Sequence, residues 1–465
     1  MKTPALHLCR STIVALGLAL CTQAADLPTI THDWPGYTGP DGTHADLSRV
    51  PLLEDLGKAR LLWISEHDDL GHGKTSSKGG HVYGPKSKAS GSADLIVAGG
   101  MVIVGYLTPR DEVVADDIVM ALDGVTGQTR WKQIFAGKGY HRRASKHTDY
   151  GPAPAAADGK VFHLGTAGRI YCLELATGKP LWESDLGDYP AYYKNALATK
   201  ARMKDEDIEG VALRLGRPLY TPLIVIGGRV YAVCSGGDET LRLVEPKSGK
   251  VLWTEKCEAN LWLNREIMSA YSYIVADGRA FVPYCKDKGA GKGAAGPVHL
   301  AAFALSETGA KLLWQSKDLL SYDPYFAYRD GVIYANMTTD GGKSVNVTAF
   351  RAEDGTELSA LIQKITSHFY LWGDRVVLEG DACHESLGHT CFYQSGTPGV
   401  KDLKLSGQPL APRTFGKYTG VAGYIERWMR PTFADGFMFT RSVNKETGQG
   451  AILCWDLRAH PESKK

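Results

Sequence analysis

The stretch VMALDGVTGQTRW, residues 119–131, decides how this chain folds. It consists of an apolar strand, a tight turn around Thr126 and Gly127, and a second strand that ends in Trp131. The same order recurs in IYCLELATGKPLW (170–182), LRLVEPKSGKVLW (241–253), AFALSETGAKLLW (302–314) and, without the tryptophan, VTAFRAEDGTELS (347–359). Recurrence of one supersecondary unit along a chain is the sequence signature of a repeat architecture.

A hairpin motif precedes each of these stretches. Its clearest copy is LIVAGGMVIVG (95–105), in which Gly99 and Gly100 separate two apolar runs. The other copies are 154–165, 222–234, 273–285, 326–336, 369–380 and 431–441, most of them with Asp-Gly at the turn. Such pairs between apolar runs favour two-residue hairpins, because these residues tolerate positive φ. A hairpin and the unit that follows it together supply four antiparallel strands.

The last copy of the repeat lacks an outer strand. The stretch AILCWDLRAH (451–460) ends the pattern, whereas ARLLW (59–63) has the outer-strand pattern near the start of the chain, with no partner before it. Pairing the two would close a ring and remove two open sheet edges. The sequence therefore predicts an all-β fold: a β-propeller of about seven four-stranded antiparallel blades, or eight if a degenerate copy exists, closed by an N-terminal outer strand.

The pattern Ala-x-Asp-x-x-Thr-Gly-x-x-x-Trp, seen best from Ala121 to Trp131, resembles the repeat of the pyrroloquinoline-quinone (PQQ) propeller family. The opening Asp33-Trp34-Pro35-Gly36-Tyr37 is also similar to the start of secreted members of that family. The resemblance covers most of residues 33–460, and it implies that each tryptophan locks adjacent blades. Quinoprotein alcohol dehydrogenases and outer-membrane assembly propellers share this repeat, so the resemblance implies a fold rather than a cofactor.

The first residues of the chain have the pattern of an export signal. Lys2 and Arg10 form a basic region, residues 11–21 are largely apolar, and Ala24 ends a small-residue cleavage site. We therefore predict a signal peptide over 1–24, an N-terminal segment over 25–49, the propeller over 50–460 and a tail over 461–465, with the mature chain secreted or periplasmic. A net charge of +2 gives no sign of a nucleic-acid partner. No later stretch is long enough to span a membrane.

Two of the nine cysteines lie in the predicted signal peptide, which leaves seven in the mature chain. Cys172 and Cys454 occur in apolar strand patterns and are predicted to be buried small hydrophobic side chains. A denser group could form a local disulfide, a zinc site or neither: Cys383, His384, His389 and Cys391.

The connections between hairpins are long on one face of the predicted ring. Functional residues concentrate on such loops above a rigid scaffold. Polar and aromatic residues also begin the innermost strands, where ring symmetry makes them converge on the central channel. The predicted ligand-binding residues are His81, Tyr83, His147, Asp149, Tyr150, Arg217, Tyr220, Arg265, Tyr271, Tyr322, His368, Arg427, Trp428 and Arg430. Several histidines, arginines and tyrosines around one axis suit a small anionic or carbohydrate ligand.

Three classes of function fit these observations. The first is an exported propeller that binds such a ligand, or another exported protein, at the long-loop face of its channel. The second is a carbohydrate-active enzyme such as a propeller polysaccharide lyase, since abstraction of a proton next to a carboxylate needs a base and a cation. The catalytic candidates would then be His147, His163, Arg217, Tyr220 and Tyr271.

The third class, implied by the resemblance, is a PQQ-dependent oxidoreductase that also holds Ca²⁺. Members of that class commonly have two adjacent cysteines over the cofactor, and this chain has no Cys-Cys pair and no clear set of calcium ligands. The preferred prediction therefore includes no cofactor, with PQQ and Ca²⁺, or zinc, as the alternatives.

Overall fold

The structure is a computed structural model of the 465-residue chain. It describes residues 29–36, 39–40, 45–46, 48, 50–66, 70, 75–77, 80–82, 90–92, 95–110, 114–140, 153–165, 167–185, 223–226, 229–234, 240–256, 274–284, 299–320, 325–339, 344–362, 368–372, 375–380, 389–394, 404–410, 414–415, 418–419, 431–444 and 450–459.

Short elements precede the first complete blade. They are β1 (Ala45–Asp46), a 3-10 helix (Leu56–Lys58), β2 (Arg60–Ile64), β3 (Thr75–Ser77), β4 (Gly80–Val82) and β5 (Ser90–Ser92). Strands β3 and β4 pair with each other, and β5 pairs with the loop-side end of the second strand of blade 1.

The described strands then form seven antiparallel blades in chain order. Blade 1 contains β6 (Ile96–Ala98), β7 (Met101–Pro109), β8 (Val114–Asp123) and β9 (Thr129–Tyr140). Blade 2 contains β10 (Ala155–Ala157), β11 (Lys160–Leu164), β12 (Arg169–Glu174) and β13 (Pro180–Asp185). Blade 3 contains β14 (Leu223–Ile226), β15 (Arg229–Cys234), β16 (Thr240–Val244) and β17 (Val251–Lys256).

The remaining blades follow the same plan. Blade 4 contains β18 (Ile274–Ala276), β19 (Arg279–Tyr284), β20 (His299–Leu305) and β21 (Ala310–Leu320). Blade 5 contains β22 (Phe326–Arg329), β23 (Val332–Thr339), β24 (Ser344–Arg351) and β25 (Glu357–Ile362). Blade 6 contains β26 (His368–Trp372), β27 (Arg375–Gly380), β28 (His389–Gln394) and β29 (Lys404–Leu410). After β30 (Thr414–Phe415) and β31 (Tyr418–Thr419), blade 7 contains β32 (Thr432–Ala434), β33 (Phe437–Asn444) and β34 (Gly450–Asp456).

The fourth strand of blade 7 comes from the start of the chain. Strand β2 pairs antiparallel with β34, and Trp63 lies opposite Cys454. The predicted N-terminal outer strand is therefore confirmed, and the ring is closed by a blade that both ends of the chain share. The pairing covers the edge of β34 that would otherwise be open, and β2 becomes the outermost strand of the blade.

The inner hairpins turn as the sequence predicts. In blade 2 the turn residues Asp158 and Gly159 have φ of 50° and 68°. Blades 4, 5 and 7 repeat these values closely at Asp277-Gly278, Asp330-Gly331 and Asp435-Gly436. Two successive positive φ angles define the type I′ turn, whose twist matches that of the strands it joins.

Tryptophans lock neighbouring blades together through the outer turns. The ring of Trp131 in blade 1 lies against Gly178 in blade 2, where an added Cβ would be 2.4 Å from the ring. Its Nε1–H donates to the carbonyl of Leu175 at 2.9 Å. The same lock joins Trp63 to Gly127, Trp182 to Gly249 and Trp314 to Gly355. Glycine is needed at these turns because φ is positive and the indole fills the space a side chain would take.

The junction between blades 3 and 4 departs from this rule. The outer turn of blade 4 closes over four residues, from the Ser306 N–H to the Gly309 carbonyl, whereas in blade 2 the Glu174 N–H reaches Lys179. The buried Nε1 of Trp253 has no hydrogen-bond acceptor among the described residues. This junction therefore lacks the indole hydrogen bond that the regular locks possess.

The core lies between the blades. Because side chains alternate along a strand, each blade buries one set against the preceding blade and the other set against the next. In β6, Val97 packs in the cluster shared with blade 7, whereas Ile96 and Ala98 pack in the cluster shared with blade 2. Cys172 and Cys454 are fully buried free thiols, which confirms their prediction as core residues.

Candidate functional site

Most of the predicted ligand-binding residues lie outside the described residues. They are Tyr83, His147, Asp149, Tyr150, Arg217, Tyr220, Arg265, Tyr271, Tyr322, Arg427, Trp428 and Arg430. The backbone of two others is described. His81 lies on β4 opposite Ser76, and His368 begins the innermost strand of blade 6 opposite Glu379. The ligand site at the long-loop face stays a prediction.

The predicted zinc or disulfide group also lies largely outside the described residues. Cys383 and His384 are not described, and His389 and Cys391 are described only as backbone positions of β28. Within the described part of the chain, no three side chains of the metal-binding types come together. The two described thiols are unreactive in their setting, because burial raises the pKa of Cys172 to about 11 and that of Cys454 well above its usual range.

Among the described side chains, His163 alone represents the predicted catalytic set. It lies on β11 and is 1% exposed, at the interface between blades 1 and 2. Its ring packs against Gly105 on β7, where an added Cβ would be 2.4 Å from Cε1. Burial lowers the pKa of His163 to about 4, so the imidazole is neutral at neutral pH. Its Nδ1 has no hydrogen-bond partner within the described residues.

A buried carboxylate lies in the same interface. Asp117 on β8 is fully buried, and the hydroxyl of Tyr171 donates to its Oδ2 at 3.3 Å. The Tyr171 ring stacks on Phe135 at 3.8 Å between centroids. Burial, together with the charge of Asp117, raises the pKa of Tyr171, so the phenol remains a neutral donor. His163 and Asp117 therefore lie inside the interface between blades 1 and 2, and neither side chain is exposed to solvent.

The N-terminal segment crosses the innermost strands. The carbonyl of Trp34 accepts a hydrogen bond from the N–H of Val97 at 2.8 Å, and the carbonyl of Pro35 accepts one from Ala156. Val97 and Ala156 lie on the innermost strands of blades 1 and 2, whose other edges pair within their own blades. Strand β1 likewise pairs in parallel with β26 of blade 6. The segment therefore covers channel-facing edges of three blades, which would otherwise present unpaired backbone groups.

Asp435 anchors the beginning of this segment. Its carboxylate accepts hydrogen bonds from the backbone N–H of Thr31 and from that of His32, the latter at 2.8 Å, and it pairs with His32 Nδ1. Trp34 is 2% exposed and meets Phe433 of blade 7 edge to face, with ring centroids 6.1 Å apart. Although burial opposes ionisation, these N–H groups hold the pKa of Asp435 below its usual range.

Asp435→Asn should release this segment without disturbing the hairpin, because asparagine also tolerates positive φ. We expect a loss of about 1–2 kcal/mol in the free energy of unfolding, the usual effect of weakening hydrogen bonds to a charged group. Cleavage by a protease within residues 29–36 should accelerate. Asp158→Asn is the matched control, since Asp158 holds the same turn position with φ of 50° and is exposed. Equal effects of the two substitutions would contradict the anchoring role.

A ring of leucines marks the outer rim. In six of the seven blades the outer strand carries one extra residue at the same place, as between Leu173↔Pro180 and Cys172↔Trp182, where Leu181 has no partner. In blade 1 this residue is Arg130, and the register of blade 6 has no such bulge. The same bulge recurs in blades 3, 4, 5 and 7. The bulged residues and their exposed fractions are Leu62 39%, Leu181 47%, Leu252 51%, Leu313 43% and Leu358 43%. We call this set the rim leucines.

Sequence reasoning identified neither the rim leucines nor the contacts of the N-terminal segment. A signal for the leucines was present, because Leu precedes Trp in RLLW, PLW, VLW and LLW. An apolar residue beside a tryptophan in a strand is ordinarily core, and only the bulge turns it outward. No side-chain pattern marks the N-terminal contacts, since backbone carbonyls make several of them.

The described residues do not fit a PQQ–calcium centre. A calcium ion in a protein takes six to eight oxygen ligands, commonly from several carboxylates. The described acidic residues do not cluster in threes, and Asp117 and Asp435 already accept hydrogen bonds from Tyr171 and from the N-terminal segment. Within the described residues, the structure also has no helix with the length and apolar character that a membrane crossing requires.

A sequence profile matches much of the chain. The profile of the family described as outer membrane protein assembly factor BamB matches residues 72–188 and 115–315, which together span more than half of the sequence. The outer membrane protein assembly factor BamB of Yersinia pestis is 26% identical over 324 residues, an alignment that covers 65% of this chain and 70% of that relative.

Two solved structures are similar to this chain at low sequence identity. BamB from Moraxella catarrhalis is 12% identical, with a TM-score of 0.41 and coverage of 89% of this chain and 100% of that one. A quinohemoprotein alcohol dehydrogenase from Comamonas testosteroni is 10% identical, with a TM-score of 0.46 and coverage of 95% and 83%. The fold assignment itself rests on the strand pairing and on the profile.

Proposed function

Because the chain belongs to the PQQ-repeat β-propeller family, whose profile it matches over more than half its length, we propose that it is an exported scaffold that binds other exported proteins. The matched profile and the Yersinia pestis relative are both described as outer membrane protein assembly factors. By analogy, this chain would work in an assembly outside the cytoplasm, in agreement with the predicted signal peptide.

The rim leucines are the observation that carries this proposal. A single exposed leucine is ordinary on a protein surface, but here the same bulged position is apolar and exposed in five blades. Bulges at sheet edges are features that redirect a side chain, and here they turn a leucine away from the core. Leucines presented on a rigid ring suit contact with another protein surface better than capture of a small polar molecule.

Rigidity supports the same interpretation. Four tryptophan locks and a shared last blade hold the ring, so the rim residues keep fixed spacings. A preorganised surface loses less conformational entropy on association, which favours its use as a scaffold. A small anionic or carbohydrate ligand at the long-loop face remains a separate proposal that depends on His147, Arg217 and the other channel residues.

The mature chain, tagged and isolated from its native organism after brief chemical cross-linking, should carry a defined exported protein in a fixed ratio. Changing Leu181 and Leu252 together to Glu should reduce the recovered partner at least fivefold and leave the melting temperature within a few degrees, because both side chains are about half exposed. Lys179→Glu is the control, because Lys179 is exposed and is not one of the rim leucines.

Two outcomes would overturn the proposal. One is a chain that is recovered alone under all cross-linking conditions. The other is turnover by the purified protein, either reduction of a dye with an alcohol after addition of PQQ and Ca²⁺, or release of unsaturated uronate from an acidic polysaccharide.

A further inference from the structure

We propose that the outer edge of β21 in blade 4 accepts an added β-strand from a partner, and that the accepted strand is an extended segment with an apolar centre and acidic ends. This inference rests on the proposed protein-binding function and names the surface and the chemistry of the partner. It concerns Ala310–Asp318, which we call the blade 4 edge.

The blade 4 edge lacks a neighbouring strand in the described part of the chain. Strand β21 has 11 residues, against 6 in the outer strands of blades 2, 3 and 5, and a second bulge over 316–318, between the pairs Ala301↔Gln315 and His299↔Leu319, interrupts its regular pairing. One side of β21 pairs with β20, and on the other side only Leu319 and Leu320 pair, with β23 of blade 5. The preceding residues therefore offer backbone N–H and C=O groups, which is the template that strand addition uses.

Apolar exposure is concentrated on this strand. Eight large hydrophobic side chains are exposed among the described residues, and three of them lie on β21: Leu312 at 39%, Leu313 at 43% and Leu319 at 36%. The register places Leu312 opposite Phe303 and Trp314 opposite Ala302, so Leu313 is the bulged residue of this blade. Leu312 and Leu313 together form the apolar centre of the edge.

The charges on the blade 4 edge select the partner. Lys311 and Lys317 are exposed on either side of the two leucines, and neither has an anionic partner among the described residues. Asp318 is also exposed, which leaves the edge with a net positive charge. Lysines on an edge strand repel a second copy of the same edge, and they favour a strand with opposite charges in the facing positions.

On β9, the other long outer strand, two basic side chains already form ion pairs. Strand β9 of blade 1 has 12 residues, but Arg130 pairs with Asp123 and Lys138 pairs with Glu183 of blade 2. Its Gly137 N–H donates to Asp116 at 2.6 Å. Only one large hydrophobic side chain, Ile134, is exposed there among the described residues. The combination of free lysines and adjacent leucines is thus found on β21 and not on β9.

A pair of synthetic peptides tests this assignment. The first has glutamates at both ends and alternating valine and threonine between them, and the second has lysines in place of the glutamates. The mature protein should bind the glutamate peptide and not the lysine peptide, and the bound peptide should slow hydrogen exchange of amides within 310–318. The double substitution Lys311→Glu with Lys317→Glu should weaken the glutamate peptide roughly tenfold and make the lysine peptide bind, since two facing charge pairs are reversed.

Position is tested by a matched pair of leucines. Leu313→Glu should weaken the glutamate peptide to a similar extent, whereas Leu252→Glu, at the same bulge of blade 3 and 51% exposed, should leave it unchanged. The assignment is overturned if the unmodified protein binds neither peptide at millimolar concentration, if charge reversal does not exchange the preference, or if Leu252→Glu is as harmful as Leu313→Glu. Partner recovery that survives Leu313→Glu and the lysine reversal would leave the scaffold function intact and remove only the blade 4 edge.

Discussion

Trp63→Ala should lower the free energy of unfolding by about 3–5 kcal/mol, the usual cost of truncating a large aromatic side chain in a packed site. The Trp63 ring covers Gly127 of blade 1, with 2.6 Å to an added Cβ, and packs 6.0 Å from the ring of Phe439 in blade 7. Its Nε1–H donates to the carbonyl of Gly124 at 3.2 Å. One side chain thus joins the two blades that the ends of the chain close together.

Chemical denaturation of the variant is the measurement. Leu62→Ala is the control, because Leu62 precedes Trp63 on the same strand but is 39% exposed and belongs to the rim. We expect the control to change stability by less than about 1 kcal/mol, as surface substitutions do. Similar losses for both variants would mean that β2 contributes by its backbone alone and that the tryptophan lock does not matter at this junction.

Acid should destabilise the protein through His163. The folded-state pKa is about 4, below the ordinary value of 6.5, so the unfolded chain takes up a proton first as the pH falls. The stability that the protein has with His163 buried and neutral is therefore fully present above pH 6.5. It is lost progressively as the pH falls to about 4, because protonation then favours the unfolded chain. A difference of this size corresponds to about 3 kcal/mol at 1.36 kcal/mol per pKa unit.

His163→Phe isolates this contribution, since other groups also titrate in the same range. The phenyl ring keeps an aromatic side chain against Gly105 and Tyr171 but cannot be protonated. The free energy of unfolding, measured at several pH values, should decrease less between pH 6.5 and 4 for the variant than for the native protein. The two decreases should differ by up to about 3 kcal/mol. Identical pH profiles would show that the imidazole is not buried as described.

Ring closure could be predicted from the sequence, because it depends on the pattern of side chains in two strands. The stretch ARLLW carries the outer-strand pattern without a preceding partner, and AILCWDLRAH lacks a following one. Those two facts predict the pairing of β2 with β34, and the structure adds its register, with Trp63 opposite Cys454. The inner hairpins were equally accessible, since Asp-Gly pairs specify a turn with two positive φ angles.

The burial of His163 could not be predicted from the residues next to it in the sequence. In the run KVFHL the histidine is a polar residue near a strand end, which fits a channel residue as well as a core residue. Its position is decided by Gly105, a residue of the neighbouring blade whose missing side chain leaves room for the ring. Contacts between blades depend on how sheets stack, and a repeat pattern does not encode that for a single polar residue.

The irregular junction between blades 3 and 4 is marked in the sequence by a longer spacing between glycine and tryptophan. In AFALSETGAKLLW four residues separate Gly309 from Trp314, whereas in the three other tryptophan-bearing copies three residues separate the glycine from the tryptophan. The longer spacing moves the turn, and Trp253 then finds no acceptor for its Nε1–H within the described residues. The channel-mouth residues on the long connections remain predictions, because a loop conformation is set by contacts that no short pattern specifies.

Hydrogen exchange of the segment 60–64 tests the shared blade most directly. If β2 is the outer strand of blade 7, its amides that bond to β34 should exchange as slowly as those of 450–456, because both are released by the same opening. Exchange of 60–64 within seconds, while 450–456 stays protected, would contradict the closed ring.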